Sequence, residues 1–423
     1  MAIEDNASIA LIPSGYKSSK LYSVIPDSGN GDFSHIRSST ATRVAASGLI
    51  ETVVSNTPRL DYPLIDGVVQ SCPALLLEPS RTNLIYKSEE LDNSAWTKTN
   101  CTVTANQVVS PDGNVTADKL TTTQNFSFVY QNRSMTSGTT YTYSAFVKKG
   151  DLRYYKVWIS HTFGTQASTQ QVNFDLDNKT TTTFSGSQWT SSSIEDYGNG
   201  WLRCIATTTA GSHMGYSQYN NFSDNNNSSN YQGSAGYGYI WGVQMEAGSY
   251  ATSYIPNTTT GSITRAADAC NGSGTSAEFN DSESSFFVEI QSFAEESVNR
   301  YIVINDGAGS PYTNSLIIQY RNNGTVRIFH NGTDFADAIH ISSASFDQTA
   351  NHKIAVRYKE NDMKDYIDGV AQSLNGSFVY QTISGLNELS FDINGSLPFL
   401  GKIKQVFVFK TALSDSELET LTS

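Results

Sequence analysis

The sequence is short of charge. Only 16% of its 423 residues are charged, and 27 Lys and Arg stand against 40 Asp and Glu, a net charge of −13. So acidic a surface repels phosphate backbones and anionic headgroups, which sets aside nucleic-acid binding and membrane insertion. No apolar run reaches the length that spans a bilayer. Cysteine is scarce as well: Cys72, Cys101, Cys204 and Cys270 lie far apart, without the C-x-x-C spacing of a zinc or redox site. Isolated, reduced thiols are expected. The six histidines (35, 161, 213, 330, 340 and 352) show no His-x-x-x-His or His-Glu spacing, and no Gly-x-Ser-x-Gly elbow occurs. Met1-Ala2-Ile3-Glu4-Asp5 carries acids where a signal peptide carries Lys or Arg, and the apolar piece from Ile9 to Ile12 is too short for its core. Synthesis in the cytoplasm without a signal peptide is the expectation.

What is present is the composition of strands and turns. Gly, Ser, Thr and Asn abound, while 23 Tyr and 20 Phe hold the aromatic share at 11%, enough to pack cores. The fold class is all-β. At roughly 150 residues per domain the length suggests two to three domains. Residues 1–70, broken by prolines 13, 26, 58 and 63, show no sustained period and form an extended N-terminal arm ordered by packing on a partner or neighbouring subunit. Residues 71–258 alternate cleanly. Tyr141, Tyr143, Ala145 and Val147 oppose Thr142, Ser144, Phe146 and Lys148, as in half-buried strands, and turn signals between them predict a two-sheet jelly roll. Residues 259–274 are Thr, Gly and Ser, the composition of a linker. Residues 275–423 form a second sandwich, with Val406-Phe407-Val408-Phe409 apolar on both faces and therefore central. One helix closes the chain, its capping box made by Ser414 and Glu417 and its staple by Leu413 and Leu418.

The binding candidates are polar and aromatic. Residues 211–238 hold Tyr216, Tyr219, Asn220, Asn221, Phe222, Asn225, Asn226, Asn227, Tyr231 and Tyr237 among Gly and Ser, with scarcely any aliphatic residue to fill a core. That is the composition of a recognition loop, in which rings stack on sugar C–H faces and amides pair with hydroxyls. Trp158, Trp201 and Trp241 sit in strand-like runs and read as core. Trp96 and Trp189 fall beside Ser/Thr-rich turns and stay open as ligand platforms.

Three segments, Ala10-Leu-Ile-Pro-Ser-Gly-Tyr-Lys17, Gly31-Asp-Phe-Ser-His-Ile-Arg-Ser-Ser-Thr-Ala-Thr-Arg43 and Leu75-Leu-Leu-Glu-Pro-Ser-Arg-Thr-Asn-Leu84, resemble an N-terminal region of structural proteins of tailed bacteriophages. Tyr239-Ile-Trp-Gly-Val-Gln-Met-Glu-Ala-Gly-Ser-Tyr-Ala-Thr-Ser-Tyr-Ile-Pro256 is similar to the closing strand of their carbohydrate-binding-module-like jelly roll. His352-Lys-Ile-Ala-Val-Arg-Tyr358, Tyr366-Ile-Asp-Gly-Val370 and Phe399-Leu-Gly-Lys-Ile-Lys-Gln-Val-Phe-Val-Phe409 resemble a laminin-G-like, concanavalin A-type sandwich. The resemblance implies a non-enzymatic virion surface protein, a tail or head fibre or adhesin. It would be homotrimeric, docked to other virion proteins through the arm and bound to host-surface polysaccharide. A decoration protein without ligand and a polysaccharide depolymerase are the alternatives.

The fold analogy also groups Tyr312, Asn314, His330, Asn331, Asp334 and Phe335 at one end of the terminal sandwich as further glycan contacts. Concanavalin A-type glucanases carry E-x-D-x-x-E on one strand, and this sequence has no such triplet. Glu388 and Asp392 fall on one face of an expected strand, but about 13 Å apart, too far to share a glycosidic bond. No catalytic residue and no cofactor are assigned. Related sandwiches hold calcium, and Asn305-Asp306-Gly307 and Asp392-Ile-Asn-Gly-Ser396 offer oxygens; ordinary turns are the favoured reading, and no metal is assigned.

Overall fold

The computed structural model describes residues 2–123, 126–160, 171–184, 189–210, 215–226, 234–294, 298–307, 314–331, 340–341, 347–373 and 383–423. The jelly roll pairs two six-stranded antiparallel sheets. The front sheet runs Thr97–Thr99, Phe128–Ser134, Gly215–Ser223, Tyr154–Ser160, Gln171–Asp175, Thr180–Thr183, and the back sheet Cys101–Val108, Ala117–Thr122, Gly236–Ala247, Thr140–Lys149, Trp201–Thr209, Trp189–Asp196. Alternation decides which side chains meet between them: Tyr143, Ala145 and Val147 from the back sheet pack on Tyr155, Val157, Val172, Phe174 and Phe222 from the front. The opposite face of the back sheet is apolar too. There Phe146, Trp201 and Trp241 are buried with Ile50 and Tyr254, so Trp201 and Trp241 are core residues, as their strand-like context predicts.

The terminal sandwich opposes the sheet of Asp362–Ile367, His352–Lys359, Glu283–Ser292 and Gly401–Phe409 to that of Val326–Asn331, Ser315–Tyr320, Arg300–Asn305 and Glu388–Ser390. Val406 and Val408 enter the main core. Phe407 and Phe409 face the other way and pack with Leu413 and with Leu418 and Leu421 of the Asp415–Thr422 helix. The expected capping box is formed, with Ser414 N–H donating to Glu417 Oε2 at 2.7 Å and Glu417 N–H to Ser414 Oγ at 3.3 Å.

Residues 1–70 pack on their own chain rather than standing free. Ile9–Leu11 pairs with Val406–Val408, and Ala74–Leu77 pairs with the start of the same strand through Leu77↔Gly401 and Leu75↔Ile403. Two segments more than 300 positions away in sequence thus close one edge of the terminal sheet, and Ile9, Leu11, Leu21, Phe33 and Leu60 lie in its core. The stretch 259–274 is likewise more than a linker: Ile263–Arg265 pairs with Arg81–Asn83, and Ala269–Asn271 with Phe33–Ile36. Its Ser/Thr composition hides two anchors, Arg265 and Asp268, both buried.

Those anchors belong to an ion cluster that joins the arm to Glu78, Ser253 and the segment between the sandwiches. Asp268 meets Arg37 at 3.0 Å, His35 at 3.4 Å and Arg59. Glu78 meets Arg59 at 2.6 Å and Arg265 at 2.7 Å and accepts the Ser253 N–H at 2.7 Å. Burial pushes both carboxyls up, but the surrounding guanidinium charges more than reverse it. Glu78 is held at about 2 and Asp268 well below the usual carboxylate range.

Candidate functional site

The front sheet has one face in the jelly-roll core and one turned away from it. Register places Thr182, Asn173, Lys156 and Asn221 side by side across four strands of the outer face. The neighbouring row is Thr97, Tyr130, Tyr219, Trp158 and Gln171. A polar row therefore lies against an aromatic one, because residues two apart on a strand share a face.

In the aromatic row the rings stand on edge. Trp158 and Tyr219 stack at 4.9 Å with their planes 3° apart, Tyr130 follows Tyr219 at 4.8 Å, and Phe128 meets Trp158 and Tyr219 edge-on at 5.5 and 5.1 Å. Stacked this way, the rings cover each other's faces, and the stack offers a neighbour its edges. One such edge group is the buried indole N–H of Trp158, which has no hydrogen-bond partner among the described residues.

In the polar row Asn221 is fully buried, and neither its Oδ1 nor its Nδ2 has a partner among the described residues. Directly across from it, the Lys156 ammonium donates to Asn225 Oδ1 at 3.1 Å. Burial pushes the lysine down to about 8. Asn173 Nδ2 donates to Asn226 Oδ1 at 3.0 Å, and Asn226 Nδ2 to Thr182 Oγ1 at 3.1 Å. Asn225 is half-buried and Asn226 exposed, so the row runs from buried amides out to solvent. At its flank Arg153 clamps Asp175 at 2.9 and 2.5 Å, and this hydrogen bonding holds the carboxyl at about 2.

The structure divides the residues singled out from sequence. Asn221 and Tyr219 come together on the outer face. Asn220 and Phe222, their neighbours on the strand, face inward and are not available to a ligand. Phe222 is in the core, and Asn220 Oδ1 accepts from the hydroxyls of Tyr143, at 2.6 Å, and Tyr155. Within the expected recognition loop, Gly215–Ser223 is a strand at the centre of the front sheet with Tyr219 and Phe222 buried, and residues 211–214 and 227–233 lie outside the described residues. The glycine content of 211–238 has a packing cause: a Cβ on Gly238 would overlap the Phe222 ring. Tyr237 sits half-buried at the start of Gly236–Ala247 in the back sheet, with the Lys119 ammonium 3.9 Å from its ring centre. Trp96 and Trp189 are buried. Trp96 donates its indole N–H to Lys87 O at 3.0 Å and is core rather than platform. Tyr216 and Asn331 lie on strands whose side chains there fall outside the description, and Tyr231, Tyr312, Asp334 and Phe335 lie outside the described residues.

Sequence reasoning passed over Lys156, Asn173 and Gln171, while its reading of Trp158 as core holds: the ring is fully buried with Phe128 and Tyr219. The signal was present: Lys156 stands between Tyr155 and Val157, a charge in the middle of an apolar strand.

The other candidate groups are internally used. Asn305 Oδ1 accepts from Gly307 N–H at 3.0 Å, and Asp392 Oδ1 from Gly395 N–H at 2.9 Å, which is the chemistry of turns. Among the described residues no group of His, Cys, Asp and Glu is placed to hold a metal ion. The strand of Glu388 ends at Ser390, so Asp392 lies in the turn beyond rather than on the same strand face. A cleft of about 290 Å³ opens where the arm, the jelly roll and the terminal sandwich meet. Its charges face one another, Lys402 with Asp61 at 2.9 Å and Arg203 with Glu195 at 3.9 Å.

Residues 284–419 match the family model of the concanavalin A-like lectin/glucanases superfamily. No curated protein matches the chain. Among solved structures the chain is similar to the Ruminococcus gnavus IT-sialidase CBM40 bound to α2,3-sialyllactose, at 17% identity and a TM-score of 0.31, over 36% of this chain and 94% of that one. It is also similar to the leech intramolecular trans-sialidase, at 19% identity and a TM-score of 0.29, over 36% of this chain and 26% of that one. The chain is thus an all-β protein whose last 150 or so residues form a concanavalin A-like sandwich.

Proposed function

We propose that the protein is a non-enzymatic glycan-binding protein and that the outer face of the front sheet holds the sugar. The observation that carries this reading is Asn221. A buried carboxamide with neither atom partnered costs the fold about 1–3 kcal/mol, and a hydroxyl-rich ligand removes that cost by giving it both a donor and an acceptor. The Trp158 indole N–H in the adjoining row is in the same condition. Among the described carboxylates the one in these rows is Asp175, neutralised by Arg153, which favours recognition over the paired-carboxylate chemistry of glycoside hydrolysis.

The finer setting rests on the sequence resemblance. The protein is a bacteriophage virion surface protein, a tail or head fibre or adhesin made in the host cytoplasm. It is a homotrimer, attached to other virion proteins through residues 1–70, and it binds host-surface polysaccharide with an avidity multiplied across copies. Adsorption competition tests the setting: excess protein blocks phage adsorption to host cells, and undiminished adsorption would move the reading to a decoration protein. Calorimetry with host polysaccharide fragments tests the site. Wild type binds, and Asn221→Ala with an unchanged melting temperature binds at least tenfold more weakly; equal affinities for the two proteins sink the assignment.

A further inference from the structure

We infer that the cleft where the arm, the jelly roll and the terminal sandwich meet holds a neutral saccharide unit, at a second site apart from the front sheet. The inference goes beyond the reading of the front sheet and does not rest on it. At about 290 Å³ the cleft stands at the lower end of the roughly 300–1,000 Å³ of ligand pockets, which favour the meeting of domains. Each of the three parts gives its wall one aromatic ring and a charged group. The arm supplies Tyr62 and Asp61, the jelly roll Tyr197 and Glu195, and the terminal sandwich Phe293 and Lys402. All three rings are half-buried, and an aromatic ring left partly open offers a face or an edge to the C–H groups of a sugar.

The charges of the wall select the ligand. Every charged side chain that lines the cleft has an opposite charge beside it: Asp61 meets Lys402 at 2.9 Å, Arg43 meets Glu51, Glu78 meets Arg59 and Asp196 meets Lys179 at 2.6 Å, and Glu195 meets Arg203 at 3.9 Å. An ionic ligand therefore finds no uncompensated charge, whereas hydroxyls, which both give and accept, suit a wall that presents carboxylates and cations in pairs. Glu195 is the open member. Its side chain is 50% exposed, and 3.9 Å is beyond the hydrogen-bond reach of the guanidinium, so its oxygens have room for sugar hydroxyls. The wall is also built in advance. Gly67 of the arm and Gly198 of the jelly roll, both at positive φ, approach so closely that a Cβ on Gly67 would lie 2.6 Å from Asp196 Oδ1 and one on Gly198 2.6 Å from Gly67 O. On the side of the terminal sandwich, Phe293 stacks on Tyr250 of the jelly roll at 5.4 Å. A wall fixed at both rims binds without the cost of ordering it.

The test uses the full chain with maltose, cellobiose and lactose, each beside its uronic-acid counterpart, read by calorimetry and by melting temperature. Wild type binds at least one neutral disaccharide, binds the acidic counterpart more weakly, and melts higher in its presence, because a ligand held by all three parts favours the folded chain. Tyr62→Ala and Glu195→Gln each weaken that binding about tenfold, the worth of one good contact, and Asn221→Ala leaves it unchanged. Glu195→Gln keeps the size of a half-exposed side chain and decides the matter should Tyr62→Ala fail to fold. Binding that survives Glu195→Gln undiminished overturns the cleft site; if Asn221→Ala then abolishes it, the sugar sits on the front sheet and the glycan-binding reading stands. An acidic counterpart bound as tightly as the neutral sugar overturns the neutral class. Binding of none of the disaccharides overturns the inference outright, and the front sheet is then judged by host polysaccharide alone.

Discussion

Arg37 and Asp268 are 231 positions apart, yet Arg37 Nη1 donates to Asp268 Oδ1 at 3.0 Å in a site where neither residue is exposed. Three further N–H groups of Arg37 go to backbone carbonyls, Ser39 O at 3.0 Å, Thr57 O at 3.0 Å and Val54 O at 2.8 Å. The arginine thereby fixes the fold of the arm while its charge ties the arm to the segment between the sandwiches. The same carboxylate meets Arg59, and Arg59 in turn meets Glu78. A charge cluster of this kind holds only while every member is matched.

Asp268→Asn removes one negative charge from among three arginines and leaves them facing one another in a buried site. The expected loss is about 3–5 kcal/mol of stability, read as a fall in the urea midpoint. A variant within 0.5 kcal/mol of wild type, roughly the scatter of surface changes, would mean that the cluster is wetter than its burial indicates.

Acid should act on the same cluster. The folded-state pKa of Glu78, about 2, lies below its ordinary 4.5, and Asp268 is depressed in the same sense. A depressed carboxylate contributes stability that is complete above the ordinary value and is lost as pH falls toward the folded one. The melting temperature should therefore drop steeply from pH 4.5 to 2, and in Glu78→Gln the whole curve should lie lower with a shallower slope in that window.

The arm completes the terminal sandwich, so a core substitution in the first dozen residues should act on a sheet drawn from the last 150. Leu11 is fully buried there and pairs with Val406. Leu11→Ala is expected to cost about 2–5 kcal/mol. Residues 275–423 produced alone would expose the unpaired edge of Gly401–Phe409 and should aggregate; a cooperative unfolding transition of that fragment would show that the arm is dispensable.

Asn220 and Asn221 are adjacent in sequence and opposite in consequence. Asn220→Ala strips the acceptor shared by the Tyr143 and Tyr155 hydroxyls and should cost about 1–3 kcal/mol. Asn221→Ala removes a carboxamide with no described partner and should leave stability level or raise it. Thermal unfolding of the two variants side by side decides whether the faces have been distinguished correctly.

Local pattern made much of the fold legible. Strict alternation in Tyr141–Val147 announces a strand, and the doubly apolar Val406–Phe409 a strand covered on both sides. Ser414 with Glu417 announces the helix start. These are properties of neighbouring residues, and period and capping chemistry express them without reference to distant parts of the chain. In residues 215–223 composition does not separate loop from strand: Tyr and Asn suit a recognition loop and also suit a strand whose two faces have different tasks.

By itself the sequence determined the all-β class, the two sandwiches, the helix cap and the acidic surface, because each follows from short-range spacing or from a sum over residues. Only the tertiary structure decided that residues 1–70 complete the terminal sheet, since pairing partners 400 positions apart leave no local mark. It alone united His35, Arg37, Arg59, Glu78, Arg265 and Asp268 in one buried cluster. It also decided the site. Which of two adjacent asparagines turns to the core, and which stands beside Lys156 with no partner for its amide among the described residues, depends on the register of four strands, and a one-residue slip would exchange them.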